Sequence, residues 1–425
     1  MNKNFLALGL AAALLAPQVA GAEGFGINEW SAEGVAMGGA RMFAEDDAAN
    51  VAYNPASITK VKGEAMKSSS TYLSPHGSYK LYDSDGKEIE NEPTHNKVHA
   101  GWAVGSYYVK QINDKEWFGI GAFPRFAMVS EFERESKASS NAFFSKLNGV
   151  SVTPTYAHKF DNKWSAAVGA EINYVGLELQ KNVNLNLGPL GNVNGTTQIE
   201  GESYALGWNA AANYAFDDKN EIGVVYRSRI KHSLEADLKG YGTKSPVVVG
   251  GDVFGNAYGV VTLPDSWDIG YNHKFDKKTR LELKATRTNW STYDALNISL
   301  SNPSVPGVLP SDVNSAKNWE SGWRYAIGLE HNFSDKYAVM AGFAFDESSI
   351  PSEGGDFLVP TGLRRTYSIG ARYNDKKQTV AVALGWMDVG TLDFAGHPEK
   401  GDAYSSAHAY DSFTKIASIS YQRKF

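Results

Sequence analysis

The sequence contains no cysteine, which excludes a disulfide framework, a thiolate metal site and a thiol redox centre. Beyond residue 22 it has no apolar stretch long enough for a membrane helix, which excludes a helical membrane protein. Its formal net charge is −6 at pH 7, so no basic face is available for nucleic acid. The nine histidines are scattered outside any nucleophile–base motif, so we expect no enzyme activity, no catalytic residue, no metal and no cofactor.

The first residues are typical of an export signal. A short n-region containing Lys3 is followed by an apolar run from Phe5 to Leu15 and by the small residues Ala20-Gly21-Ala22. The apolar run is too short to span a membrane. We therefore expect residues 1–22 to be a cleaved secretory signal and the mature chain to start at Glu23.

From about residue 64 onward, apolar and polar residues alternate with a period of two. In residues 323–333 one face carries Trp323, Tyr325, Ile327, Leu329, His331 and Phe333. In residues 222–234 one face is expected to carry Ile222, Val224, Tyr226, Ser228, Ile230, His232 and Leu234. This pattern predicts strands. Aromatic residues make up 12 % of the chain while mean hydropathy is only −0.35, as in a barrel that is apolar outside and polar inside.

The connections between these strands are of two kinds. Short polar turns recur at 112–115, 161–163, 217–220, 276–278, 334–336 and 374–377. Long loops rich in Gly, Ser, Pro and Asn lie near 78–95, 131–146, 185–198, 240–256, 300–317, 347–361 and 393–406. Six turns and seven loops join fourteen strands, and this asymmetry is typical of outer-membrane barrels. We predict an all-β fold, a fourteen-stranded antiparallel transmembrane β-barrel spanning residues 64–425.

That fold implies a location and partners. We expect a monomer in the bacterial outer membrane, surrounded by outer-membrane lipid and lipopolysaccharide. The ending "SISYQRKF" resembles the assembly signal of outer-membrane barrels, with Ala417, Ile419, Tyr421 and Phe425 on one face and Arg423 interrupting it. The barrel assembly machinery is therefore an expected partner.

Residues 23–63 do not alternate and are too short to fold alone without disulfides. They carry aromatic and other large apolar side chains that a disordered tail would not usually contain. We expect one or two short helices here, with Asp46 or Asp47 as the N-cap before Ala48–Tyr53. A barrel this wide leaves a lumen unless something fills it, so we predict that this segment is a small hatch, or plug, inside the lumen.

A resemblance covers essentially the whole mature chain. The stretch "GFGINEWSAEGVAMGGARMFAEDDAANVAYNPASIT" resembles the N-terminal hatch of the long-chain fatty acid outer-membrane transporter family (FadL). The matching features are Phe25, Gly38-Gly39-Ala40, Asp46-Asp47-Ala48 and Asn54-Pro55-Ala56. Later stretches such as "LPDSWDIGYNHKF" also resemble the family. The resemblance implies that the hatch closes the periplasmic end, with Phe25, Asp46, Asp47, Asn54, Pro55 and Ala56 as its hatch and gating residues.

The resemblance also implies an inward kink in the third strand that opens the wall sideways. In this chain that strand reads "KEWFGIGAFPRFAMVSEF", and it is interrupted by Gly119, Gly121 and Pro124. A central proline cannot donate to a ladder and marks a bulge or an edge. A simple bulge near the rim is the alternative. We expect Asn54-Pro55-Ala56 to fix a hatch turn against this strand.

The function implied is passive uptake of hydrophobic molecules, above all long-chain fatty acids. The ligand would be captured at extracellular loops, bound in the lumen and released sideways into the bilayer. Capture candidates, which could instead pack within their loop, are Phe132, Phe143, Phe144 and Leu147. Lumen candidates are Val175 and Leu177. Cations for the fatty acid carboxylate, each of which could instead belong to a solvated inner-wall cluster, are Arg125, Arg227, Arg229 and Arg324.

Other functions stay open on the sequence alone. An aromatic hydrocarbon channel would share the same hatch and barrel. A general porin would share the barrel but not the hatch. A role of the loops as adhesin or phage receptor is compatible with any of these, and the sequence gives neither the acyl-chain preference nor the ligand path.

Overall fold

The structure is a computed structural model that describes residues 24–89, 94–98, 100–186, 192–244, 253–301 and 312–425. The expected signal peptide, residues 1–22, lies outside the described residues, as do parts of the loops expected at 78–95, 185–198, 240–256 and 300–317. Among the described residues, no helix is long and apolar enough to cross a membrane.

The described strands form one closed antiparallel sheet, because the first strand pairs with the last along almost its full length. They are β1 (Glu64–Tyr82), β2 (Thr94–His95 and Gly101–Gln111), β3 (Glu116–Phe123 and Ala127–Glu131), β4 (Phe144–Lys159), β5 (Trp164–Asn186), β6 (Asn192–Ala215), β7 (Asn220–Arg227 and Ile230–Lys244), β8 (Val253–Leu263 and Ser266–Lys274), β9 (Thr279–Thr288 and Ala295–Ser301), β10 (Asp312–Ala316 and Gly322–Asn332), β11 (Tyr337–Asp346), β12 (Arg364–Asn374), β13 (Gln378–Val389 and Leu392–Ala395) and β14 (Ser406–Lys424). The predicted fourteen-stranded antiparallel barrel is confirmed.

The wall has the polarity of a membrane barrel. In β10, Ile327 and Leu329 are 41 % and 42 % exposed on the outer face, whereas Arg324 and Glu330 are buried on the inner face. An apolar outside and a polar inside invert the pattern of a soluble sheet and suit a surrounding of lipid.

The short turns share one chemistry. In four of the hairpins an aspartate carboxylate accepts hydrogen bonds from the backbone N–H groups two and three residues later, at 2.7–2.8 Å. These aspartates are Asp161, Asp217, Asp276 and Asp375. Such side-chain turns close a hairpin without glycine. The two ends of the barrel sequence, Glu64 and Lys424, lie at the same rim as these turns.

The predicted alternation in β7 is wrong beyond Tyr226. The strand breaks at Ser228 and Arg229, and its register against β6 shifts by one residue across that break. Ile222, Val224 and Tyr226 lie on the outer side, but Ile230, His232 and Leu234 are buried on the inner side. An extra residue exchanges the two faces of a strand because side chains alternate with a period of two.

Residues 24–62 run through the lumen as two short helices, α1 (Ala32–Ala36) and α2 (Asn50–Tyr53), and a 3₁₀ turn, Pro55–Lys60. Helix α1 packs against β11 to β14, and the 3₁₀ turn packs against β4, β5 and β6. Helix α2 itself starts after Ala49, which makes no side-chain cap bond, but of the two expected N-cap residues Asp47 caps the turn at residues 48–49 that leads into it. Asp47 lies earlier, where its carboxylate accepts from the Ala49 N–H at 2.9 Å and binds cations.

Inward-facing wall glycines make room for this segment. A Cβ on Gly328 would lie 2.7 Å from Cε of Met37, and one on Gly119 would lie 2.8 Å from Cγ2 of Val51. Further wall glycines in direct contact with the segment are Gly105, Gly121, Gly223, Gly270, Gly342 and Gly370. The barrel therefore holds residues 24–62 at a distance that side chains on the wall would prevent.

Candidate functional site

A buried charge network joins the lumen segment to the wall. Arg41 contacts Asp47 at 3.1 Å and Glu330 of β10 at 2.9 Å, and Lys67 of β1 contacts both Glu33 and Asp47, at 2.8 and 2.9 Å. All five side chains are at least 95 % buried. Burial alone would raise the pKa of Asp47, but Lys67 and Arg41 hold it well below its usual range. The network is therefore charged, and it fastens one segment to two opposite strands.

The neighbouring Asp46 has a different role. It adopts a positive φ of 51° and pairs with Lys424 at 2.6 Å near the rim. Its backbone carbonyl accepts from the Gln422 side chain at 2.7 Å. The two expected acidic hatch residues thus bind the adjacent strands β1 and β14, Asp47 through Lys67 inside the lumen and Asp46 through Lys424 at the rim.

The turn at Asn54-Pro55-Ala56 is held from within and from β6. The Asn54 Oδ1 accepts from the Ala56 N–H at 3.1 Å, and its Nδ2 donates to Asn213 Oδ1 at 2.7 Å. Pro55 opens the 3₁₀ turn, where its missing N–H costs nothing. The Ala56 carbonyl also accepts from the Ser165 hydroxyl of β5 at 3.3 Å, so the motif's polar contacts are with β5 and β6, not with β3. Contact with β3 comes from the flanking residues Val51 and Ile58, which pack on Gly119.

The third strand breaks at residues 124–126. Below the break it is paired with β2 up to Ser106–Ala122; above it, Ala127–Glu131 pairs with β4 and has no ladder partner in Gly101–Gly105 of β2. We call this interruption the β2–β3 gap. Gly149 of β4 is required beside it, because a Cβ there would collide with the Phe126 carbonyl oxygen.

The start of the lumen segment takes the place of the missing partner. Gly26 forms a bridge with Phe126, the Ile27 N–H donates to the Arg125 carbonyl at 2.8 Å, and the Ala127 N–H donates to the Phe25 carbonyl at 2.9 Å. The Trp30 indole donates to the Pro124 carbonyl at 2.5 Å. The inward bend is therefore bonded to the N-terminal segment at both of its ends.

Phe25 lies in an aromatic chamber. Its ring contacts Phe126, Trp290, Tyr293 and Trp319 at centroid distances of 4.6–6.1 Å, mostly edge to face. Trp290 and Tyr293 lie in the break between the two segments of β9, and Trp319 lies in the break between the two segments of β10. The expected lumen residues Val175 and Leu177, and also Leu147, belong to the same apolar cluster. Leu147, expected as a loop residue, thus lies in the lumen.

Of the four expected cations, three are buried and paired. Arg125 contacts Glu171 at 2.8 Å, Arg227 contacts Asp268 at 3.0 Å, and Arg324 contacts Asp346 at 2.6 Å. The expectation for Arg229 is wrong: its side chain is 61 % exposed and pairs with Asp265 at 3.2 Å. The register shift in β7 is the reason, since it turns Arg229 away from the lumen.

The loop phenylalanines do not form an open capture surface. Phe132 and Phe143 are 1 % and 3 % exposed, and Phe144 is half-buried. Phe132 packs edge to face on Phe357 at 5.0 Å, within a cluster that also holds Tyr79, Phe394 and Tyr404. The structure thus places Phe132 and Phe143 in the packing of the loops, which was the alternative.

Two groups that the sequence analysis missed lie beside the chamber. Lys317 is 2 % exposed and forms a buried ion pair with Asp356. Its backbone N–H donates to the Asp294 carbonyl, next to Tyr293, at 2.7 Å. Asp356 begins a segment, Asp356–Val359, in which Phe357 and Val359 are buried. No local sequence pattern marks Lys317, so only the tertiary fold reveals it.

Comparisons with known proteins agree with this architecture. The sequence profile of a family described as Outer membrane protein transport protein (OMPP1/FadL/TodX) matches residues 13–422. The long-chain fatty acid transport protein of Escherichia coli (strain K12) is 24 % identical over 418 residues, covering 90 % of this chain and 91 % of that protein.

Two solved structures have the same fold. A Pseudomonas aeruginosa FadL homologue superposes with a TM-score of 0.83 at 18 % identity, covering 95 % of this chain and all of that one. The Pseudomonas putida toluene transporter TodX gives a TM-score of 0.71 at 15 % identity, with coverage of 95 % and 100 %. The chain belongs to the OMPP1/FadL/TodX family of outer-membrane transport proteins.

Proposed function

We propose that this outer-membrane protein takes up long-chain fatty acids passively, binding them in the aromatic chamber around Phe25. The observation that carries the proposal is the pairing of that chamber with a buried cation, Lys317, at its edge. An apolar tail needs the former and a carboxylate needs the latter. The naming of the Escherichia coli relative as a fatty acid transporter supports the same choice.

Binding of the fatty acid in this proposal needs no external energy source. Burial of each CH₂ contributes about 0.8 kcal/mol, so a long acyl chain binds a dry chamber on hydrophobic transfer alone. The carboxylate adds a charge-assisted hydrogen bond to Lys317, which is stronger than a neutral one. When the fatty acid leaves the chamber sideways, its acyl chain enters lipid directly and does not cross a water-filled pore.

The chain itself supplies a stand-in for such a ligand. Asp356 offers a carboxylate to Lys317, and Phe357, Leu358 and Val359 follow it into the apolar clusters. Ser130 of β3 donates to the carbonyls of Phe357 and Leu358 at 3.1 and 3.3 Å. In the proposed mechanism an incoming fatty acid replaces Asp356 on Lys317 and displaces this segment from the chamber.

Release is proposed through the β2–β3 gap. The gap lies where the lumen segment, and not β2, satisfies the backbone of β3. Movement of Phe25–Ile27 would free that edge and connect the chamber with the bilayer. The residues with proposed gating roles are those at the bend, Gly119, Gly121 and Pro124, with Phe25 and the Asn54-Pro55-Ala56 turn.

Uptake of aromatic hydrocarbons is the second candidate. The edge-to-face rings around Phe25 suit a small aromatic guest, and the solved relatives of the same fold include a toluene transporter. A hydrocarbon has no carboxylate, so substitution of Lys317 should affect the binding of a fatty acid and not that of a hydrocarbon.

The test is a competition experiment on the purified protein. A fluorescent long-chain fatty acid should bind, and unlabelled oleate should displace it. Lys317→Gln should weaken oleate binding by about 10- to 100-fold, the value of a lost charge-assisted hydrogen bond of about 1.5–3 kcal/mol. A fatty alcohol of equal length should bind the wild type and the variant equally.

Arg229→Gln is the matched control, because it removes an exposed cation outside the lumen. It should bind oleate like the wild type. Competition by toluene without competition by oleate would transfer the assignment to aromatic hydrocarbons, and equal binding of oleate to both variants would remove Lys317 from the site.

A further inference from the structure

The barrel wall has a second interruption, between β6 and β7. The two strands are paired from Asn209–Arg227 to Ala215–Glu221, and again from Glu202–Glu235 upward. Between these sections, residues 203–208 and 228–234 have no ladder partner across the junction. Both strands stay paired with their other neighbours, β5 and β8, along this stretch. We call this the β6–β7 gap.

An unpaired stretch of wall is unusual in a membrane barrel. Lipid offers no hydrogen bonds, so backbone groups facing it are normally satisfied by the ladder. At the lower edge of the gap Ser228 makes a local substitute: its N–H donates to the Trp208 carbonyl and its Oγ accepts from the Trp208 N–H, both at 2.9 Å. Counted from the short turns, the gap lies at about the height of the break in β3.

The gap has apolar residues on its inner side and along the β6 edge of its outer side, whereas the β7 edge also carries the buried His232 inside and the exposed Lys231 and Ser233 outside. Inside, Ile230 and Leu234 belong to the cluster that contains Phe25 and Val175, and Ala205 packs against it. Outside, Tyr204 and Leu206 are 70 % and 75 % exposed, the highest values among the large apolar side chains of the described residues. Apolar surface therefore runs from the chamber along the β6 edge of the gap to the lipid side.

One side chain closes the gap. Gly207 has no side chain, and a Cβ built on it would lie 2.9 Å from Cγ1 of Ile230. Ile230 faces inward only because of the register shift in β7, and it is fully buried. A rotation of this side chain, or a small separation of the strands, would open the junction without breaking any ladder pair.

We propose that the β6–β7 gap is a second lateral exit, through which an apolar chain passes from the chamber into the bilayer. The inference rests on the proposed uptake of hydrophobic ligands and extends it from one exit to two. The ligand class is a single unbranched acyl chain, because Ile230 and Gly207 leave the width of one side chain between the strands.

The test uses the absence of native cysteine. In the double variant Gly207→Cys/Ile230→Cys, the near contact between the two positions suits the separation of about 3.5–4.5 Å between Cβ atoms in a disulfide. Oxidation should lower the uptake of labelled oleate in cells at matched surface expression, and reduction should restore it. Oleate binding to the purified protein should not change on oxidation, so failure of this inference is distinct from failure of the proposed function.

The matched control is Ala211→Cys/Val225→Cys, a buried pair of directly opposed residues in the same two strands below the gap. Its oxidation should leave uptake unchanged. Conversely, Ile230→Ala should speed uptake in a barrel that keeps its heat-modifiable mobility. Oleate uptake that is the same in the oxidised Gly207/Ile230 pair and in the Ile230→Ala variant as in the wild type would overturn the second exit.

Discussion

At the residue scale, the lumen segment is held by charges that have no access to water. Asp47 serves two cations, Arg41 and Lys67, that come from the segment and from β1. Breaking a buried ion pair costs more than the pair itself contributes, because the remaining partner keeps its desolvation penalty. Asp46, one residue earlier, makes its ion pair at the rim, where its side chain is 27 % exposed and water screens the pair in part.

This difference predicts unequal effects for the two acidic residues. Asp47→Asn should weaken the docking of the lumen segment by about 3 kcal/mol, whereas Asp46→Asn should cost about 0–1 kcal/mol. Asparagine tolerates the positive φ of Asp46, so the pair is matched. Hydrogen exchange of peptides from residues 40–60 measures the effect. Equal loss of protection in both variants would mean that the network does not hold the segment.

Glu29, unlike Asp47, is expected to weaken the docking of the lumen segment at neutral pH, and this effect should depend on pH. Burial raises its pKa above the usual range, although Arg324 lowers it in part. The ionised folded form is therefore penalised at neutral pH. Glu29→Gln should protect the lumen segment more than the wild type at pH 7. The difference should shrink as the pH falls through the raised pKa and vanish below about 4.3, the ordinary value. A difference independent of pH would contradict this.

At the scale of elements, the third strand and the lumen segment complete each other. The strand lacks a partner on its β2 side above Ala122, and Phe25–Ile27 supplies one. Lower down, Val51 and Ile58 rest on Gly119. Along the chain, the Asn54-Pro55-Ala56 turn lies between Val51 and Ile58. Its Asn54 side chain donates a hydrogen bond to Asn213 of β6.

Loss of that turn should therefore act on transport and not on the barrel. Asn54→Ala/Pro55→Ala removes the bond to Asn213, worth about 1 kcal/mol, and the fixed φ of proline. We expect a heat-modifiable barrel with reduced uptake of labelled oleate at matched surface expression. Asn297→Ala, far from the turn on the partly exposed second segment of β9, is a suitable control. Unchanged uptake would make the motif a turn only, and loss of the folded barrel would make it structural.

At the scale of the whole molecule, the barrel is wide but full. Residues 24–62 occupy the half next to the short turns, and the loop aromatic cluster around Phe357 covers the other end. A wide barrel is an aqueous channel only when its lumen is empty. Here the lumen holds both a buried charge network and an apolar cluster, and the cluster around Phe25 favours an apolar guest over water.

Liposomes containing the protein should accordingly not swell in small sugars. The physical reason is that residues 24–62 fill the lumen and are mostly buried against the wall. The rate of swelling after dilution into arabinose or sucrose measures this, with empty liposomes and a known porin as references. Swelling at the rate of the porin would contradict the plugged lumen.

The sequence predicted what depends on local pattern. Alternation and turn spacing were enough for fourteen strands, because short polar turns recur between the strands and four of them are closed by the same aspartate chemistry. They failed at Ser228 and Arg229, since a bulge has no strong local signal and exchanges the faces of every later residue. Lys317 and the β6–β7 gap arise from contacts between distant strands, so no single stretch of sequence reveals them.

The junction between the first and last strands gives the lumen segment one more consequence. Ser69 and Thr71 of β1 bond the carbonyls of Trp30 and Glu29, while Ser420 and Gln422 of β14 accept from the N–H groups of Ala32 and Ala48. The lumen segment thus bonds both β1 and β14, the two strands whose pairing closes the barrel. The docked segment and the pairing of β1 with β14 therefore stabilise each other, since separation of the two strands would also break the bonds of the segment to one of them.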